Sequence, residues 1–144
     1  MTPLDADQRA RFDALVEDQV ALLPYTIQLL LQETPLLVED HPAKDVLEEF
    51  GMDASQSDEI CGLYSGIGLT DRSVDDMPEM PETITIYRSG IVSLAGGWDE
   101  AVDAEGTPVG GLERISTEIR TTILHEVGHH FGLDEDDLDK LGFA

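Results

Sequence analysis

Cysteine is almost absent: Cys61 stands alone among 144 residues. One thiol makes no internal disulfide, and it excludes zinc sites built from several cysteines of one chain. Any metal would have to rest mainly on His, Asp or Glu. Positive charge is nearly as scarce. Eight Lys and Arg stand against 31 Asp and Glu, a formal net charge of −23. Phosphate binding needs clustered basic side chains, so no nucleic-acid partner is expected. Anionic membrane surfaces are disfavoured for the same reason. Long apolar runs are missing too. The most apolar stretch, Val20 to Leu31, is interrupted by Pro24, Tyr25, Thr26 and Gln28 and is too short to cross a bilayer. Met1-Thr2-Pro3-Leu4-Asp5 has no basic run ahead of an apolar stretch, so no signal peptide is expected and a cytoplasmic protein is the default.

What is present fits one folded domain over residues 1–144, with 41% hydrophobic residues to fill a core. The acidity has two readings. It is ordinary surface solvation, or it marks a salt-rich setting in which screening relieves self-repulsion. Thr2-Pro3 reads as a helix start, and Phe12, Leu15, Val16, Val20 and Leu23 then give one apolar helical face. Pro24 ends or kinks that helix, and a second short one runs from Tyr25 to about Gln32. Residues 35–38 suit a buried strand, and Lys44 to Phe50 a short helix stopped by Gly51. Residues 52–59 read as polar loop, and 61–67 as extended. Residues 77–81 read as a turn. Thr83-Ile84-Thr85-Ile86-Tyr87 alternates cleanly and is the best strand. Residues 95–111 hold five glycines and Pro108 and read as a long loop, with a hairpin around Trp98 as one form of it.

The last third carries the chemistry. Leu112, Ile115, Ile119, Ile123, Val127 and Phe131 follow helical steps and predict one continuous amphipathic helix ending at Gly132. On it lies His125-Glu126-Val127-Gly128-His129, an H-E-x-x-H motif. Residues i and i+4 share a helix face, so two imidazoles can grip one ion. Glu126, rotated by about 100°, is placed to act on a water at that ion instead. Gly132 can take positive φ and break the helix. Glu135, three residues on, can then supply a third ligand; three protein ligands and a water make an open catalytic zinc site. Asp134 is expected to cap a last helix, from Glu135 to Leu141.

The pattern His125-Glu126-x-x-His129-x-x-Gly132-x-x-Glu135 resembles the small bacterial zincin-like metallopeptidases, whose signature is H-E-x-x-H-x-x-G-x-x-D. The likeness extends to the first helix, Leu37-Val38-Glu39-Asp40, Gly62-Leu63-Tyr64-Ser65-Gly66, Thr83 to Arg88 and Leu141-Gly142-Phe143. It implies a compact α+β zincin-like domain, with a small mixed sheet packed against the helix that carries H-E-x-x-H. It also implies a bound Zn2+ and a peptide or protein substrate. No methionine follows Glu135, so chain order makes Phe143 the residue expected to fill the space beneath the metal. Glu stands where the family usually has Asp, which leaves Asp134 as an alternative third ligand.

Other residues have plainer readings beside functional ones. His130, at i+4 from Glu126, either orients that carboxylate or is packed, and packing is favoured. Tyr64, Tyr87 and Arg88 are oxyanion candidates for which packing is again favoured. Gly128 inside a helix suggests a strand passing close by. Cys61 followed by Gly66-Ile67-Gly68-Leu69 resembles the peptide deformylases in reverse order, so Cys61 is read as a small buried residue rather than a ligand. The leading function is zinc-dependent peptide hydrolysis with Glu126 as base. The alternatives are a non-catalytic metal-binding or interaction module and a non-peptide amide hydrolase.

Overall fold

The computed structural model describes residues 4–65, 82–132 and 136. The expectations for Thr2 and Pro3, the 66–69 segment, the 77–81 turn, Asp134, Glu135 and Phe143 lie outside these residues.

Helix α1 spans Ala6–Leu22, and Leu4 and Asp5 before it are not helical. Asp5 is its N-cap: the carboxylate accepts from the Gln8 amide at 2.8 Å, and the Gln8 side chain accepts from the Asp5 amide at 3.0 Å. The apolar face is as expected, with Phe12, Val16 and Leu23 buried and Leu15 and Val20 against them. Pro24 separates α1 from α2, Tyr25–Glu33.

Strand β1, Leu36–Glu39, is only alternately half-buried and leaves Leu37 exposed. That corrects the expectation of a buried strand, and the cause is position: β1 is one edge of a three-stranded sheet. Helix α3, Lys44–Glu49, closes at Gly51 with φ of 69°. The stretch expected as loop then forms a 3-10 helix, Ala54–Glu59. Asp53 and Gln56 build a capping box there, a signature readable in the sequence.

Strand β2 is Gly62–Ser65 and β3 is Thr83–Tyr87. The order is β1-β3-β2, with β1 parallel and β2 antiparallel to β3. Ile84 thus sits between Leu36 and Tyr64, and Ile86 between Val38 and Gly62. The alternating strand is the central one, and Thr85 is buried along with both isoleucines.

Helix α4, Arg88–Ala95, was not anticipated. It ends at Gly96, with φ of 101°. The 95–111 stretch holds a short hairpin of β4, Ala101–Val102, and β5, Pro108–Val109, so its turn is at 103–107 and not at Trp98. Trp98 instead packs against the core.

Helix α5 runs Leu112–His130, and Gly132 follows with φ of 73°. Ile115, Ile119, Ile123 and Val127 are buried as the periodicity requires, while Leu112 and Phe131 at the two ends emerge into solvent. The main core joins α1, β3, α4 and α5, and a smaller cluster holds Leu47, Ile60 and Tyr87. The α+β arrangement, with a mixed sheet against the H-E-x-x-H helix, is therefore observed. No helix among the described residues is long and apolar enough to span a membrane.

Candidate metal centre and cleft

The site is built on one stripe of α5. Glu118, Thr121, Thr122, His125, Glu126 and His129 all face a cleft of about 660 Å³. Their spacing alternates threes and ones, as a single helical face demands. The opposite wall is β2 with the chain leading into it, from Glu59 to Tyr64.

What lets the strand lie so near the helix is Gly62. A Cβ there would come within 2.7 Å of the Thr122 methyl, 3.1 Å of Glu126 Cγ and 3.3 Å of the Thr85 carbonyl oxygen. The sequence suggested a close strand from Gly128, which is buried, but the tight approach recorded is at Gly62. A glycine inside a strand is the general signal for such contact. Gly62 lies against Thr122 and Glu126, and Tyr64 lies by His130, so β2 and α5 run the same way.

The His125 and His129 rings are 4.8 Å apart between centroids, at 62°. Both are part-exposed to the cleft, whereas Glu126 is buried at 6% exposure. His129 Nδ1 lies 3.3 Å from Glu126 Oε1. Two imidazoles on one face suit a borderline-soft ion such as zinc. Among the described residues no three His, Cys, Asp or Glu side chains are gathered to hold a metal. The two places considered for a third ligand, Asp134 and Glu135, are outside them.

His130 is packed, as favoured. It is 4% exposed, with Nδ1 3.1 Å from Glu82 Oε2 and its ring edge-on to Tyr64 and Phe131. Glu82 carried no sequence signal, because its partner is 48 positions away. Tyr64 lines the cleft. Tyr87 does not: it belongs to the smaller core, and burial, then Glu39, Asp45 and Glu126, push its hydroxyl up to about 12. Arg88 is also engaged elsewhere. Its Nε and Nη2 donate to the two Asp13 oxygens at 3.0 and 2.9 Å, and Nη1 donates to Asp40 at 2.8 Å. Arg9 holds the other Asp40 oxygen at 2.8 Å. Hydrogen bonding from Arg9, more than from Arg88, keeps the Asp40 carboxyl below the usual range.

Cys61 is half-buried in the cleft wall. Burial first, then the Glu118 and Glu126 charges, push its thiol up to about 11. At neutral pH it is a thiol, and no group of metal-holding side chains among the described residues includes it. The 95–111 stretch contributes nothing to the cleft lining among the described residues.

A helix bearing two imidazoles and a buried carboxylate, laid along an edge strand, defines a zincin-like class of site. The chain belongs to the zincin-like metallopeptidase family, whose model matches residues 31–143. No curated protein matches the chain.

Proposed function

We propose that this protein is a zinc-dependent peptidase in which His125 and His129 hold the metal and Glu126 is the general base. The observation that carries the reading is the burial of Glu126 beside two cleft-facing histidines. A purely structural ion needs no carboxylate beside its two imidazoles, whereas a hydrolytic one needs a base there. Glu135 is the proposed third ligand, with Asp134 as the alternative. The metal, when bound, supplies Lewis acidity that polarises a carbonyl and eases deprotonation of water. Glu126 takes the proton from the attacking water and delivers it to the leaving amine nitrogen. The peptide backbone pairs with the free side of β2, which is an edge strand among the described residues.

The test is cleavage of an unfolded protein or peptide library by zinc-loaded wild type and by Glu126→Gln. Hydrolysis in wild type, lost in Glu126→Gln with zinc retained, is expected. Zinc-loaded wild type that cleaves no peptide, with Glu126→Gln indistinguishable from it, favours the non-catalytic module. Cleavage confined to small acylated amines favours a non-peptide amide hydrolase.

A further inference from the structure

The same cleft holds two carboxylates that the chemistry above does not use. Glu118 lies on the α5 stripe, seven residues before His125, and Glu59 lies on the opposite wall. No Lys or Arg is among the described residues that line the cleft. Glu118 is half-buried, Glu59 is exposed, and the Glu118 charge helps to raise the thiol of Cys61 in the cleft wall. Beside these acids the rim is apolar. Phe50 and Leu94 are 50% and 62% exposed, and both face the cleft. Large apolar side chains left open next to a reactive centre suit an apolar residue of a bound chain.

Seven helical residues advance about 10 Å along the α5 axis. An extended peptide advances about 3.3 Å per residue. Glu118 is therefore level with the third residue or so from the bond at His125. A carboxylate half out of water gains most from a charged donor that can reach it, and Lys and Arg have that reach. A substrate acid at the same place would meet Glu118 and Glu59 with no compensating Lys or Arg among the described residues of the cleft.

Resting on the peptidase reading of this cleft, we infer that Glu118, with Glu59, makes the site selective for peptides with a Lys or Arg two to three residues from the scissile bond, toward the N-terminal end of α5, beside an apolar side chain held by Phe50 and Leu94. Glu118 is then the specificity-determining residue of the site.

The experiment reads binding, not turnover. Fluorescein-labelled octapeptides with a central Leu, identical except for Arg, Gln or Glu in one position at a time, are titrated into the full-length Glu126→Gln protein. The Arg peptide is expected to bind about tenfold tighter than its Gln twin at one position, with the Glu peptide weakest. Adding Glu59→Gln and Glu118→Gln is expected to erase that preference. Adding Glu17→Gln and Glu33→Gln on α1 and α2, which removes as much charge elsewhere, is expected to keep it. Equal affinities, no binding by any peptide, or a preference that survives loss of Glu59 and Glu118 overturns the inference. Charge-selective binding without hydrolysis by wild type leaves it standing while the peptidase reading fails. Hydrolysis without charge preference does the reverse.

Discussion

Gly62 sits where a methyl group has no room, against Thr122 and Glu126. Gly62→Ala is expected to cost about 1–3 kcal/mol by overpacking, and to displace the Glu126 carboxylate. Thr122→Ser removes the methyl that the new Cβ would meet at 2.7 Å. Urea melts of the two single variants and the double variant test this: the double should recover part of the loss, and strict additivity would contradict the contact. Arg88 makes a second prediction. Its planar fork is matched to Asp13 and Asp40, so Arg88→Lys should fail to rescue Arg88→Met, both losing about 2–4 kcal/mol. A Lys variant as stable as wild type would show that charge alone suffices. Asp40 adds a pH signature. Its folded pKa is depressed from 3.8, so its stabilisation is present above that ordinary value and is lost as pH falls through the folded value. The stability gap between wild type and Asp40→Asn, from melts between pH 6 and 3, should therefore narrow on acidification. At this scale the sequence was legible where partners are near neighbours. The positions of His125, Glu126 and His129 follow from helical spacing alone. The Arg88 fork did not, since Asp13 is 75 positions away and a lone arginine names no partner.

Helices with a long, regular period announced themselves. Nineteen residues of α5 carry the apolar step and the H-E-x-x-H face together, so both the core side and the cleft side could be read at once. Helix α4 did not, because it spans eight residues, is buried on several sides, and includes Gly90, Ser89 and Ser93. Eight residues make barely two turns, too few for a helical period to stand out in the sequence. Its glycine has a reason that only packing reveals. A Cβ on Gly90 would lie 2.2 Å from the Ile60 carbonyl oxygen. The backbone of residues 60–62 is thus pressed between Gly90 on α4 on one side and α5 on the other. Because that obstacle is backbone, Gly90→Ala should destabilise more than Gly62→Ala and should disturb β2 as a whole. Amide exchange across 62–65 is the check: unchanged protection in Gly90→Ala would contradict the clamp. The caps are the opposite case. Asp53-x-x-Gln56 was written in the sequence and only its consequence, a 3-10 helix in place of a loop, was missed.

Over the whole molecule the dominant quantity is charge. A formal −23 on 144 residues must work against compaction. Adding sodium chloride from about 10 mM to 1 M shortens the screening distance from about 30 Å to 3 Å, so the melting temperature should rise. A flat response would mean that the acids are dispersed well enough not to matter. The class of fold was legible at this scale, because the H-E-x-x-H pattern and the segments beside it resembled the zincin-like family, and that likeness implied an α+β domain. The order of the three strands and the narrowness of the cleft were not, since both depend on pairings between segments far apart in the chain. The central property is metal binding by α5. Elemental analysis of chelator-stripped and zinc-reconstituted protein, comparing wild type with His129→Ala, Glu126→Gln, Asp134→Ala and Glu135→Ala, tests this most directly. About one zinc per chain is predicted for wild type and Glu126→Gln, with loss in His129→Ala and in Glu135→Ala. Wild type that takes up no stoichiometric zinc, or a His129→Ala chain that keeps it, would contradict the account.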